Sequence, residues 1–294
     1  MALKTLDRAI ESQTWLDRVA GPVQQVVSRA IQPGPIGTPL RDVLDGTWLG
    51  HPLHPALTDV PVGAWTTAFL LDALSYLPFG RRVRAGADLA IGLGVAGALG
   101  SAVSGLADWS YTRGPSRRLG IAHGLTNVAA TALYAGSLAL RRGGNRPLGR
   151  GLAALGYGVV LLGAYLGAEL AYRCGIGVHH AAFEQGSTDF VGVLPEAELR
   201  EGQMRRVEAA GMPVLLTRWG GTIYAIGDTC AHLGCSLAEG TLEGDVVTCP
   251  CHGSQFRVTD GEVVRGPAAF SESRFDVRVV NGQIQVRRAE PACL

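Results

Sequence analysis

Four long apolar segments, at about 56–78, 86–107, 119–140 and 151–172, constrain this chain more than any other feature. Each is near the ~20 residues that a helix needs to cross a bilayer. Short polar connectors separate them, so the sequence predicts an antiparallel bundle of four transmembrane helices. Charged residues are only 17% of the 294, against roughly a quarter in soluble domains. Gly92, Gly94, Gly97 and Gly100 in the second segment, and Gly163-x-x-x-Gly167 in the fourth, let helix backbones approach closely. A net charge of +1, with no basic patch interleaved with aromatics, excludes a nucleic-acid partner. Membrane lipid is the partner this composition implies.

The connectors set a sidedness. One side carries Arg81, Arg82, Arg84, Arg141, Arg142, Arg146 and Arg150, with no acidic residue in its connectors. The other carries Arg113, Arg117 and Arg118, with Arg41 and Arg173 near other segment ends. The positive-inside rule tilts the first side toward the cytoplasm and everything after residue 173 outside. Arg141-Arg142 are read as positive-inside arginines rather than as a twin-arginine export signal. Every remaining membrane-proximal histidine falls on the outer side: His51 and His54 before the first segment, His123 one turn inside the third, and His179-His180 after the fourth. Asp59, Asp108 and Glu169 sit at the same level. Ionisable groups in membrane segments are costly and face a bundle interior or a wet cavity, so this set is expected to form a polar layer. Asp72 and Asp88 lie toward the inner side, and Arg81–Arg84 are their expected partners.

Residues 1–47 read as an amphipathic lead-in. Leu6, Ile10, Trp15, Leu16 and Val19 recur near helical spacing before Gly21-Pro22 breaks the pattern, and Val23 to Ile31 suggests a second short helix before Pro33-Gly34-Pro35. A helix lying on the membrane and a helix packed on protein both fit. No charged n-region with an apolar core and cleavage site is seen, so no secretory signal peptide is expected.

The chemistry is concentrated downstream. Cys230-Ala231-His232-Leu233-Gly234-Cys235 is answered by Cys249-Pro250-Cys251-His252-Gly253-Ser254, a Cys-x-His and a Cys-x-x-His, each on a Gly-containing loop. Thiolates hold iron–sulfur irons, and imidazoles can replace two of them at one iron of a two-iron cluster. Two Cys and two His also suit a tetrahedral structural zinc. Around these loops, residues 188–290 alternate short β-type runs with turns: Phe190–Val193, Pro213–Arg218, Ile223–Ile226, Val246–Cys249, Gln255–Val258, Phe275–Val280 and Gln283–Val286. Trp219-Gly220-Gly221-Thr222 and Asn281-Gly282 are hairpin signals. The fold class is therefore a two-domain membrane protein: 1–47 lead-in, 48–175 transmembrane helices, 176–187 linker, and 188–290 an all-β domain. Cys174 and Cys293 read as ordinary free thiols.

The paired loops, the two extra cysteines, the Gly-Ser after the second His and the later Gly266-Pro267 resemble the Rieske [2Fe-2S] proteins rather than zinc modules. The resemblance implies that Cys230 and Cys249 bind one iron and His232 and His252 the other. It implies a disulfide between Cys235 and Cys251, as in the high-potential members of quinol-oxidising complexes, and such bonds persist in oxidising compartments. Ser254 matches the family serine that donates to a bridging sulfide. Phe256 stands where that class has a tyrosine donating to a ligand sulfur. One donor is retained and one lost, so a positive potential below that class is expected. Leu233, Pro250 and the Pro267 loop would cover the cluster. Gly50-His51-Pro52-Leu53-His54-Pro55-Ala56-Leu57-Thr58-Asp59 resembles the bacterial membrane family called domain of unknown function 2231, over about 48–175, a resemblance that carries no activity.

Two imidazoles whose proton affinity follows iron oxidation state suit exchange with a quinol. The leading reading is a membrane-anchored single-electron carrier in a bacterial cell membrane, with a redox protein or quinone as partner. A second is an oxidoreductase whose helical domain holds quinone or haem b, with His54 and His123 at similar depth on different segments; the same histidines also suit structural hydrogen bonds. A third is a redox sensor acting through the cluster or the Cys235–Cys251 bond. Oxygenase chemistry is disfavoured, because no soluble segment is long enough for a second, two-His, one-carboxylate iron domain.

Overall fold

The computed structural model describes residues 2–31, 37–78, 80–184 and 186–289. Pro33-Gly34-Pro35 and Cys293 lie outside them. The chain forms two compact units. The first gathers residues 1–37 and 53–176, and the second 38–52 and 177–294.

The helical unit contains α1 (Ala2–Glu11), α2 (Leu16–Ala30), α4 (Leu53–Leu74), α5 (Arg84–Ser110), α6 (Gly114–Arg142) and α7 (Arg146–Ala168), the last running into a π-helical turn, Glu169–Arg173. Pro115 and Pro147 sit in the first turns of α6 and α7, where their missing N–H groups would have no helical partner. Asn145 caps α7 through its side-chain oxygen, which accepts from Leu148 N. Trp65, Ala68, Ile91, Ala130, Tyr134, Ala153 and Val160 form the core. Among the described residues, two helices are long and apolar enough to cross a membrane, Arg84–Ser110 and Arg146–Arg173.

The lead-in is helical where the sequence suggests it, but its break lies elsewhere. The chain turns between α1 and α2 at residues 12–15, and α2 continues through Pro22. Tertiary contacts outweigh the loss at proline. Leu16 and Ala20 pack on Trp109 and Ile121. Asp17 receives Arg117 (2.7 Å) and Arg118 (2.8 Å), and the two guanidinium groups hold its carboxyl below the usual range.

Asp72 and Asp88 do not pair with Arg81–Arg84. Arg141, whose side chain is fully buried, reaches both: it pairs with Asp72 and, at 3.0 Å, with Asp88. Asp88 also binds Arg146, and Arg150 stands 3.8 Å from Asp72. Buried carboxylates need charged partners inside the bundle, and side chains of α6 and α7 project there, whereas Arg81 and Arg82 lie in the α4–α5 turn.

The second unit opens within α3 (Gly37–Asp45), followed by a short 3-10 turn (Thr47–Leu49), and its described residues form ten antiparallel strands. β1 (Val191–Pro195), β10 (Gln283–Arg288), β9 (Arg274–Val280), β4 (Thr222–Gly227), β3 (Met212–Trp219) and β2 (Met204–Ala209) make a six-stranded sheet in that order. β5 (Thr241–Glu243), β6 (Val246–Thr248), β7 (Gln255–Arg257) and β8 (Val263–Arg265) make the second sheet. Both hairpin signals form turns: Asn281 and Gly282 take positive φ (51° and 75°) between β9 and β10, as a two-residue turn with right-handed strand twist requires. The β3–β4 turn is held by Glu201, which accepts from Gly220 N and Gly221 N. β2, β5 and β8 were not legible in the sequence, being short or charge-rich.

Candidate metal centre

The two motif loops are built alike. The first leaves β4 and leads toward β5; the second joins β6 to β7. In the first, Cys230 N donates to Cys235 O (2.8 Å) and Gly234 N to Cys230 O (2.8 Å). In the second, Cys249 N donates to Ser254 O (2.8 Å) and Gly253 N to Cys249 O (3.1 Å). The closing residue in each is a glycine at positive φ, 78° for Gly234 and 76° for Gly253, a conformation that a side chain disfavours. A disulfide joins Cys235 to Cys251, linking the two loops.

This construction sorts the four donors by type. Cys230 and Cys249 are both buried and lie in one cluster, where their thiols interact. Their mutual contact and burial push the Cys230 thiol up, and the same contact holds the Cys249 thiol down to about 6. His232 and His252 stand together, ring centroids 5.0 Å apart and planes at 85°. Burial, the neighbouring His252 and the charge of Arg41 hold the His232 imidazole down to about 3, the neutral form that binds metal. Thiols on one side and imidazoles on the other match a two-iron, two-sulfide group, in which each iron takes two protein ligands. A single tetrahedral ion would instead draw all four donors to one point.

The surrounding residues are arranged around those donors. Ser254 is fully buried and its hydroxyl oxygen accepts from Ala268 N (3.0 Å), leaving the O–H hydrogen to donate elsewhere. Phe256 is fully buried in one apolar cluster with Cys230, Cys249, Leu215, Ile226, Leu237 and Val247. Leu233 is half-buried, Pro250 exposed and Pro267 buried. The Gly266-Pro267 bond is cis.

Sequence reasoning missed three participants. α3 packs on the second loop: Arg41 donates to His252 O (2.9 Å) and pairs with Asp45 (3.4 Å). Gly266 N donates to Asp42 Oδ1 (3.0 Å), and a Cβ on Gly266 would come within 2.6 Å of Asp45 Oδ2. Glu272 is 4% exposed; its Oε1 accepts from Ala231 N (2.7 Å), between the first Cys and His, and burial pushes its carboxyl well up. Asp228 is 1% exposed and accepts from Ser236 Oγ and Ala238 N, anchoring the first loop's far end. None has a motif. A buried charge that pairs only after folding leaves no local pattern.

The membrane-proximal set separates. His54 and His123 come together in the helical unit, ring centroids 6.4 Å apart. Asp59 is exposed, and Glu169 pairs with Arg173 at 2.6 Å. His51 belongs to the second unit and is exposed. His179 and His180 belong there too: His179 stacks on Phe270 (5.0 Å), and His180 N donates to Ala231 O (3.0 Å).

Comparison with known proteins places both units. Residues 189–280 match the Rieske [2Fe-2S] domain, and residues 50–180 match DUF2231, described as a predicted membrane protein. Ferredoxin CarAc of Metapseudomonas resinovorans is 39% identical over 95 residues, 32% of this chain and 89% of that protein. The cytochrome b6-f complex iron-sulfur subunit of Chlorobaculum tepidum is 28% identical over 96 residues, 33% of this chain and 52% of that protein, so the chain spans about half of that relative's length. A solved complex of reduced oxygenase and oxidized ferredoxin in carbazole 1,9a-dioxygenase aligns with 34% of this chain and 94% of that chain, at 36% identity and a TM-score of 0.33. Through residues 189–280 the chain belongs to the Rieske [2Fe-2S] family, fused to a DUF2231 membrane-protein domain.

Proposed function

We propose that this chain is a membrane-anchored Rieske electron carrier in which Cys230 and Cys249 hold one iron and His232 and His252 the other. The observation that carries the reading is the pairing of two matched loops with their thiols together and their imidazoles together. The group so held supplies a one-electron couple. The chain's own residues do the rest. Gly234 and Gly253 close the loops, Cys235–Cys251 fixes one loop against the other, and the Ser254 hydroxyl would be the donor to a sulfide of the bound group. The outer nitrogens of His232 and His252 carry protons whose affinity follows the charge of the iron, which suits exchange with a quinol.

Relatives of the Rieske domain include electron-transfer ferredoxins and a subunit of a cytochrome complex. The Cys235–Cys251 disulfide and Ser254 favour the second kind, and Phe256 lowers the expected potential within it. Residues 48–175 are the anchor: α5 and α7 are each long and apolar enough to cross a membrane, and α4 and α6, packed against them, complete four spans. Arginine bias favours the extracytoplasmic face for the Rieske domain, where a disulfide would persist. The electron passes to a redox protein, a quinone or a haem in the helical unit.

A redox titration of the purified chain followed by EPR tests this reading. A Rieske-type signal titrating as one electron supports it; bound zinc in place of iron overturns it. A sensor acting through the disulfide is favoured by one observation, that Cys251 is exposed. Partner binding that follows reduction of that bond, with no electron turnover, would select the sensor.

A further inference from the structure

The four long helices of the helical unit are two copies of one hairpin. The buried positions of α4, Pro61, Trp65, Ala68 and Asp72, recur in α6 as Ala130, Tyr134, Ser137 and Arg141. The offset is constant at 69 residues, the separation of Asp72 and Arg141. A second constant offset relates Gly94, Ser101 and Gly105 of α5 to Gly156, Gly163 and Gly167 of α7. The contacts repeat as well. A Cβ on Gly94 would run into the Trp65 ring (2.3 Å), and one on Gly156 would meet the Tyr134 ring at 3.2 Å.

Two copies related by a two-fold place equivalent residues in contact only at the axis. Trp65 stacks on its equivalent Tyr134, centroids 4.3 Å apart and planes at 7°. Asp72 pairs with its equivalent Arg141. His54 and His123 are the third equivalent pair, centroids 6.4 Å apart and planes at 90°. The first two pairs satisfy each other, by stacking and by opposite charge. The histidine pair does not. His54 Nδ1 lies 2.8 Å from Ser101 O and His123 Nδ1 lies 2.9 Å from Gly163 O. A carbonyl only accepts, so Nδ1 carries the hydrogen in both rings, and in the neutral ring Nε2 is the nitrogen with the lone pair. The glycine one turn along each carbonyl helix, Gly105 or Gly167, gives the ring its place, since a Cβ there would come within 2.7 or 3.0 Å of it.

With Nδ1 of each ring held by a carbonyl, Nε2 is the nitrogen that a metal set between the two imidazoles would take. Nitrogens on opposite sides of one ion, at ~2.0–2.1 Å and about 1.1 Å from their own ring centres, put the centroids roughly 6.3 Å apart. The observed separation is 6.4 Å. Among the described residues, no third His, Cys, Asp or Glu side chain joins His54 and His123 as a ligand for a bare ion. A haem brings four nitrogens of its own and asks the protein for two. Asn127 Nδ2 stands 3.1 Å from His123 Nε2 and 3.0 Å from His123 O. It donates to that carbonyl and lies over the ring, 3.4 Å from Nδ1 as well, so it does not take the Nε2 lone pair.

We propose that His54 and His123 are the axial ligands of a single haem on the internal two-fold of the helical unit. The proposal deepens the reading of this unit as redox-active and selects haem over quinone; the binding itself does not depend on the iron–sulfur cluster. The test is a haemin titration of the full chain in detergent, read by reduced-minus-oxidised visible spectra, with the Rieske EPR signal scored in the same sample. The expected result is saturation at one haem per chain with a sharp α-band and a low-spin ferric EPR spectrum. H54A and H123A should each weaken haem binding at least tenfold, N127A should retain it, and H54M, which keeps an axial donor, should retain haem with a shifted midpoint. No saturable spectrum in wild-type chain that shows its Rieske signal would overturn the proposal. So would an α-band that survives in both H54A and H123A. Should the alanine variants fail to fold, the wild-type low-spin spectrum and H54M decide.

Discussion

The β unit and the helical unit build their centres in opposite ways. In the β unit two unlike stretches, one joining the sheets and one inside a hairpin, close with the same hydrogen bonds and then sort thiols from imidazoles. In the helical unit one hairpin occurs twice, and equivalent residues meet at an axis. The first centre depends on residue identity, because cysteine, histidine and positive-φ glycine have no substitutes there. The second tolerates changed identity as long as mates remain complementary: Trp opposite Tyr, and Asp opposite Arg. The two buried pairs are complementary rather than identical, which a buried charged pair requires.

The largest expected effect sharpens the β side of this comparison. Replacing His252 with Cys keeps a ligand but removes the neutral imidazole, so the potential should fall by several hundred millivolts toward the all-thiolate range near −400 mV. An unchanged midpoint by EPR titration would break the ligand assignment. The next concerns the axis. D72N leaves Arg141 buried with Asp88 as its remaining partner and should cost about 3 kcal/mol in a denaturation series. Exchanging the two charges, D72R with R141D, should recover part of that loss if the positions are equivalent; no recovery would argue against the two-fold.

Smaller effects test how the loops are tuned. Phe256→Tyr adds a hydroxyl beside the cluster cysteines, and a net hydrogen bond of about 1–1.5 kcal/mol corresponds to a rise of roughly 40–60 mV for one electron. No rise would mean that the hydroxyl reaches neither sulfur. Arg41→Gln removes a buried positive charge that touches the His252 carbonyl. A cation favours the more negative, reduced cluster, so the midpoint should drop, by about 20–40 mV because Asp45 offsets part of the charge. A drop of that size at unchanged thermal stability would make Arg41 a tuning residue, and lost stability without a shift would make it a strut.

Legibility in the sequence followed the same division. Cys-x-His and Cys-x-x-His with closing glycines are local, so the Rieske loops could be read from residue types, and the strands around them from alternation and from Asn281-Gly282. The helical content of 48–175 was legible from apolar length. The repeat was not, because 69 residues separate each pair of equivalents and the identities changed; only the spacing of buried positions kept it. His54 and His123 could be placed at one depth, yet nothing local showed that Asp59 and Glu169 face elsewhere. Asp72 and Asp88 lie near Arg81–Arg84 in the chain, yet long side chains from other helices, Arg141 and Arg146, reach them in space. Arg41 and Glu272 act on the cluster loops from distant segments, and burial of that kind has no periodicity to betray it.

The measurement that bears most directly on the central claim is an EPR-monitored redox titration of the intact chain. The account predicts a Rieske-type spectrum with a one-electron midpoint above zero, inside the roughly −150 to +300 mV range of His-ligated clusters. A midpoint near −400 mV, or a colourless zinc protein, would contradict it.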